Sequence, residues 1–464
     1  MAEGEDRALD EAFQDYSERG ARAAMLGLAD LDGVLRGKFV SLDKLKGLMR
    51  HGGGFCDCVF GWDVADELYE HPPGAAWQGV TGWDTGFPDT DYRLLTGTER
   101  RLPDSEAPFF LGEFAGEAGD HPACPRSLLR RVLARAESLG LVAQCGFEYE
   151  FFVFKETPDS VRAKGYRELA PLTPGNFGYS VLRAASQADL FQELLAHSID
   201  FRMPLEGLHC ETGPGVWEAA LAVADALEAA DRAVLFKTFA KSFFAQREMM
   251  ATFMAKWSMD YPGQSGHFHF SLHHRDTSAS PTNAFAGDDI PDSARWALGG
   301  LMRHTPELLP MLAPTVNSFT RLVKGAWAPT ASTWGVENRT AAFRFIPGSA
   351  GRQHIECRVG GADGNPYLVA AAALGAALLG IEQHLEPGAA VQGNAYDAAD
   401  ELPAELRFSP TLRQSAERFA ASAAARELFG DTFVDHFAAT RRWESERHER
   451  FVDDWQLARY FEII

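Results

Sequence analysis

The segment AQCGFEYEFFVF, residues 143–154, fixes more of this fold than any other part of the chain. Its hydrophobic period is two. Cys145, Phe147, Tyr149, Phe151 and Val153 fall on one side, and Gln144, Gly146, Glu148 and Glu150 on the other, so it predicts a strand with one apolar face and one carboxylate face. Three later segments repeat the arrangement: His267 and His269 in GHFHFSL, Arg344 between Phe343 and Phe345, and Glu356 with Arg358 in HIECRV. A solvated outer face would explain any one of them. Four strands bearing Glu, His and Arg, where solvent-facing strands usually carry Lys and Thr, point instead to a shared polar site.

A further pair of carboxylates, Glu211 and Glu218 in HCETGPGVWEAAL, flanks a Gly-Pro-Gly turn that can bring both to one point. Glu148, Glu150, Glu211, Glu218 and Glu356, with the imidazole of His267, are the candidate metal ligands. Hard cations such as Mg²⁺ or Mn²⁺ take mostly oxygen ligands in near-octahedral sets, so two ions need about twelve positions. Six protein groups leave the other half to phosphate, substrate carboxylate and water. Zinc is disfavoured, because no Cys/His cluster has structural spacing. Arg321, Arg339, Arg344, Arg352 and Arg358 lie within 38 residues and supply the anion-binding half of a phosphoryl-transfer site.

Composition narrows the partners. With 44 Lys and Arg against 65 Asp and Glu, the net charge of −21 repels phosphate backbones and anionic membranes. The expected partners are small molecules, with neither nucleic acid nor membrane. The six cysteines include no CxxC pair, which predicts free thiols and a reducing compartment, and the acidic N-terminus lacks a leader pattern. Both readings point to the cytoplasm. The uncharged stretch Tyr367–Ile381 predicts a buried helix.

The 464 residues are roughly three domains' worth of chain, and one large domain plus a small one fits equally well. A charged helix over 1–20 leads to a hairpin turn at Asp32-Gly33, and a strand-rich unit follows. The Gly116–Pro125 stretch marks the boundary, giving an N-terminal domain over 20–116 and a second over 124–464. Helices are predicted over Arg126–Leu139 with a stop at Gly140, over Leu182–His197, from Glu218 to about Phe253, and from Pro366 to about Glu382, and a polar loop over Arg275–Asp292.

Taken in order, these motifs resemble the glutamine synthetase superfamily along most of residues 20–460. GFEYEFF is similar to its paired-glutamate strand, ETGPGVWE to its E-x-GPGQ-x-E turn with Val216 in place of Gln, and GHFHFSL to its HxHxSL strand. NSFTRLVKGAWAP, ENRTAAFRF and HIECRVGGADGNPYL are similar to three more. The resemblance implies an α+β fold: a small β-grasp N-terminal domain, then a large α/β domain with a funnel-shaped antiparallel sheet. It also implies a homo-oligomeric ring, a hexamer or dodecamer, with sites between subunits.

By motif match, Glu150, Glu211 and Glu218 would hold one divalent ion and Glu148, His267 and Glu356 another, with two or three ions per site. His269, Ser271, Arg344 and Arg352 would lie near ATP, and Gly263, Arg321 and Arg358 near a glutamate-like acid. Arg339 would face the phosphoryl group in flight. The implied chemistry is phosphorylation of a side-chain carboxylate by ATP, then displacement of phosphate by an amine.

The chain also departs from the family. The flap, approximately PGYEAP there, reads KGAWAP here, so Trp327 stands at the glutamate that helps bind ammonium, and Lys324 at the preceding proline. Ammonium has no carbon to bury, whereas a carbon-bearing amine gains from an indole face through apolar burial or cation–π contact, worth roughly 0.5–2 kcal/mol. The exchange predicts a γ-glutamyl–amine ligase, resembling the γ-glutamylamine and γ-glutamylpolyamine synthetase branch. The alternatives are an ammonia-using glutamine synthetase and a catalytically silent ring-forming paralogue. Asp57, or Asp63 one gap away, matches the family's amine-contacting aspartate. His354 stands where an ATP-contacting arginine is usual, with Arg352 as a possible substitute. Tyr396 reads as an unmodified surface tyrosine.

Overall fold

A computed structural model describes residues 3–69, 80–103, 105–116, 119–275 and 282–464. After the helix Glu3–Glu18, the strands Ala23–Ala29 and Leu35–Ser41 pair about the expected turn. Asp30 Oδ1 accepts the N–H groups of Asp32 and Val34 at 3.0 and 2.9 Å, and Gly33 supplies the left-handed residue with φ 76°. The first sheet runs Leu35–Ser41, Ala23–Ala29, Pro108–Gly116, Asp89–Leu94, Gly53–Cys56. Its Ala23–Ala29 and Pro108–Gly116 pair is parallel and its other neighbours are antiparallel. The helix Leu42–His51, N-capped by Ser41, buries Leu45 and Leu48 beside this mixed sheet, the arrangement expected of a β-grasp unit.

Among the described residues the second sheet has ten strands and is antiparallel apart from the edge pair of Trp334–Val336 with Phe343–Ile346. Its path continues through His354–Cys357, Gly266–His274, Leu141–Phe154 and Val216–Leu221 to Leu205–Cys210. The apolar halves of these strands, including Phe147, Tyr149, Phe151, Phe268 and Phe270, are buried in the core that also takes in the helices Pro125–Ser138, Ala226–Ala245 and Pro366–Gln383. The last of these is long and apolar enough to cross a membrane by composition, but it is a core helix here: all but its final three residues are buried. Asn365 caps its start, Pro366 takes its first position, and the Tyr367 hydroxyl donates to Asp231 at 2.6 Å.

Two helix expectations need correction. The predicted helix from Glu218 to Phe253 is a strand over Val216–Leu221, a bridge at Ala224–Asp225, a helix over Ala226–Ala245 and a strand over Met250–Thr252. The Ala-rich sequence favours helix locally, but the polar edge of Leu141–Phe154 needs a hydrogen-bonding neighbour, and the Gly-Pro-Gly turn delivers residues 216–221 to it. The predicted helix Leu182–His197 is two helices, Val181–Ala185 and Ala188–Asp200, broken at Ser186 and Gln187. Of the predicted loop Arg275–Asp292, residues 276–281 lie outside the described residues, and Thr282–Asn283 adds a short strand beside His273–His274.

Polar groups buried between the two sheet systems join them. Arg441 donates to Asp32 Oδ1 at 2.7 Å and to the Pro314 carbonyl at 2.9 Å. Asn365 donates to the carbonyls of Asp30 and Leu31, and His436 Nε2 bonds the Phe60 carbonyl at 2.9 Å. All six cysteines are free, as expected.

Candidate active site

Strand register alone assembles the site. Glu218 pairs with Glu150 on one side and His209 on the other, forming one row across three strands. Two residues along, Glu148 pairs with His267, and in the next row His269 pairs with Glu356, which pairs with Arg344. Because side chains alternate faces, all of these project to the same side of the sheet. The Gly-Pro-Gly turn then returns Glu211 to this face, where its Oε1 lies 3.2 Å from His209 Nε2 and its Oε2 accepts the Thr212 N–H at 2.8 Å.

So many carboxylates perturb one another. Burial, together with the charges of Glu148, Glu150, Glu211 and Glu356, raises the Glu218 pKa to about 9. Burial acts on Glu148 in the same direction, but the imidazoles of His269 and His267, 3.2 and 3.6 Å away, outweigh it and hold the carboxyl well below its usual range. Glu356 is lowered to about 2 against burial by His267, His269 and Arg358. The Nε2 atom of His267 is buried without a hydrogen-bond partner, while His269 Nε2 faces Glu148 Oε2. Five carboxylates, of which one is driven toward neutrality by burial and by the rest, and an orphaned imidazole nitrogen beside them fit divalent cations in chemistry.

Comparison with known proteins gives the family. The family model for the catalytic domain of glutamine synthetase matches residues 122–460. The chain belongs to the glutamine synthetase family. It is similar to the type-1 glutamine synthetase 2 of Dictyostelium discoideum, 40% identical over 94% of this chain and 83% of that one. It is also similar to a glutamate–isopropylamine ligase of a Pseudomonas species, 35% identical over 95% of both chains, and to the gamma-glutamylethanolamide synthetase of Streptomyces coelicolor, 35% identical over 94% and 92%. A solved structure titled as ligand-free GmaS superposes with a TM-score of 0.81 at 26% identity over 97% of this chain and 99% of that one. The expected α+β fold of the family is therefore present, and the chain is an enzyme of a carbon–nitrogen ligase family.

Two clefts of this glutamine synthetase family member meet at Glu148. One, of about 460 Å³, is lined by Glu150, Glu211, Glu218 and His267 and by Gly263, Arg321, Arg339 and Arg358. Arg321 is buried and donates to the carbonyls of Val359 and Arg358 at 2.9 and 3.3 Å, and burial lowers its pKa, so an anionic ligand is what its charge lacks. Arg358 bonds Glu356 at 2.5 Å and leaves its Nε buried and unpartnered.

The second cleft, of about 660 Å³, contains His269, Ser271, Arg344, Arg352 and His354. A backbone carbonyl only accepts, so the 2.5 Å contact of His354 Nδ1 with the Arg352 carbonyl puts the proton on Nδ1. Burial lowers the pKa of His354, which favours the neutral ring. Its Nε2 then accepts from His269 Nδ1 at 3.1 Å. His354 thus orients a histidine that faces Glu148.

Trp327 lies at the mouth of the first cleft, 62% exposed, with φ 59°. A left-handed tryptophan is strained, and it is held there by neighbours: Gly325 has φ 83°, the Ala328 carbonyl accepts the Tyr396 hydroxyl at 3.0 Å, and Lys324 bonds Asp400 at 2.8 Å. Tyr396 is therefore not the surface tyrosine expected. It is 8% exposed, with its hydroxyl engaged by the flap.

Asp57 lies apart from both clefts in the first sheet's region, buried and accepting from Thr81 Oγ1 at 2.8 Å. Asp63 caps its own turn through the N–H groups of Ala65 and Glu67. Sequence reasoning missed His209 and Tyr179, whose rings stack at 4.4 Å beside Glu211. The alternation in LHCE, which places His209 and Glu211 two apart, was the available signal.

Proposed function

We propose that this protein is an ATP-dependent ligase that joins the γ-carboxylate of glutamate, or a close analogue, to an organic amine. The observation that carries this reading is Trp327: an exposed indole at the cleft mouth stands where a carboxylate would hold ammonium. The printed names of two relatives, an isopropylamine ligase and an ethanolamide synthetase, support it.

In this reading a carboxylate oxygen of the acid attacks the terminal phosphorus of ATP. The bond from that phosphorus to the bridging oxygen breaks, and ADP and an acyl phosphate result. The amine nitrogen then attacks the acyl carbon, phosphate leaves, and the nitrogen loses a proton. Arg321, Arg358 and the Gly263 backbone hold the acid. Arg339 faces the transferring phosphoryl group, and Arg344, Arg352, His269 and Ser271 face the nucleotide. Glu150, Glu211 and Glu218, and separately Glu148, His267 and Glu356, would hold Mg²⁺ or Mn²⁺, which when bound neutralises phosphate charge. Trp327 shields and contacts the amine.

Asp57 reaches an amine only if a neighbouring copy supplies it, in keeping with a hexameric or dodecameric ring. We take 20–116 and 124–464 as the two domains and the cytoplasm, suited to six free thiols, as the compartment. The test is ADP release across a panel of amines with glutamate as the acid. Alkyl- or arylamines should exceed ammonia in kcat/KM. Ammonia faster than every organic amine would make the protein a glutamine synthetase proper, and no turnover with any amine together with no Mg²⁺ or Mn²⁺ binding would make it a silent paralogue.

A further inference from the structure

On the other face of the strand that carries Glu148 and Glu150, a cavity of about 560 Å³ opens between the Asp32–Leu35 hairpin, the helix Ala226–Ala245 and residues 252–254. Two lysines one helical turn apart line it, Lys237 and Lys241. Lys237 is only 6% exposed; its ammonium lies 5.6 Å from the Tyr149 ring centroid and donates to the Gly364 carbonyl at 2.7 Å. Lys241 is exposed at the mouth, 5.5 Å from the Phe253 ring centroid.

The carboxylates of the cavity make their hydrogen bonds elsewhere, apart from Asp363 Oδ1, which is buried without a partner. Asp32 is taken by Arg441 at 2.7 Å, and Asp363 Oδ2 accepts the hydroxyls of Thr315 and Ser318 at 3.0 and 2.5 Å. Among the described residues neither lysine has a carboxylate within 4.0 Å. A buried ammonium without a counter-charge is costly, and an apolar residue of similar volume would fill the same space without that cost. Burial and the neighbouring Lys241 bring the Lys237 pKa down to about 7, so an arriving anion would restore its charge. The remaining lining suits a ligand with a body: the hydroxyls of Thr238 and Thr252 on one hand, and Leu35, Phe253 and Met254 on the other.

We propose that this cavity is a second ligand site, which binds the carboxylate or phosphate group of a small metabolite between Lys237 and Lys241. The site is separate from the catalytic clefts but touches their supports. Gly364 lies in the loop that follows Arg358, and Asp363 holds Ser318, the first residue of the short helix that ends in Arg321.

The test is equilibrium binding to the full-length protein with its catalytic clefts filled by ADP, Mg²⁺ and glutamate. Three probes are used: inorganic phosphate, succinate and 3-phenylpropionate. At least one should bind saturably. Phosphate alone would identify a phosphate-bearing ligand, and either carboxylate alone a carboxylate-bearing one. Lys237→Met should weaken binding at least tenfold. Lys241→Glu, at an exposed position that tolerates exchange, should do the same while the thermal midpoint stays unchanged, which decides the matter if the buried variant fails to fold. Binding of none of the probes, loss of binding when the catalytic clefts are filled, or undiminished binding to Lys241→Glu would overturn the proposal.

Discussion

Glu218 stands directly across the antiparallel ladder from Glu150, two carboxylates facing each other in a pairing that is unfavourable unless a cation lies between them. With its folded pKa raised from 4.5 to about 9, Glu218 contributes stability that is fully present below pH 4.5 and lost as the pH rises toward 9. Metal-free protein should therefore lose stability across that window, by at most about 1.4 kcal/mol per pH unit. Glu218→Gln should flatten the slope while weakening Mg²⁺ or Mn²⁺ binding tenfold or more. Denaturant melts at pH 5 and 8, with and without the cation, check both.

Replacing Trp327 by Glu should move amine preference toward ammonia. The lost indole contact of roughly 0.5–2 kcal/mol corresponds to about a 2- to 30-fold fall in kcat/KM for the preferred amine. The ratio of organic amine to ammonia turnover measures it, and an unchanged ratio would exclude Trp327 from amine selection.

Tyr396→Phe removes the donor that holds the Ala328 carbonyl, and with it about 1 kcal/mol of restraint on the flap. The expected effect is about a fivefold rise in KM for the amine, with kcat at saturation and KM for ATP little changed. A fall in kcat alone would assign the tyrosine elsewhere.

His354→Leu breaks the bond to His269 and should raise KM for ATP several-fold. His354→Gln keeps an acceptor at the same point and should recover most of the loss. Equal effects of the two substitutions would mean that only packing matters there.

His436 gives a pH dependence of opposite sense. Burial lowers its folded pKa to about 4 from 6.5, so stability is constant above pH 6.5 and falls as the pH drops from there toward 4, by at most about 1.4 kcal/mol per unit. His436→Asn should lessen that slope. Thermal melts between pH 7 and 4.5 report it.

The catalytic sheet was readable because period-two segments with Glu, His or Arg on one side admit few other structures. Leu141–Phe154, Gly266–His274, Phe343–Ile346 and His354–Cys357 all formed, with Glu148, His267, His269 and Glu356 on one face. Glu218 was placed in a helix because its neighbours are alanines, whose local preference carries no information about a strand that starts directly after a turn and pairs with a segment far away in sequence. His209 went unnoticed for the same reason: its importance comes from lying opposite Glu218, and register is a long-range property. Tyr396 looked superficial in a polar stretch, and only the return of the flap over it explains its burial.

The backbone at position 327 is held in its left-handed turn by Gly325, by the grip of Tyr396 on the next carbonyl and by the anchored Lys324. Whatever side chain is encoded there leaves the loop along the same bond vector. The flap thus works as a socket with an interchangeable tip, and acceptor choice is free to drift by one codon while the machinery that activates the acid stays untouched.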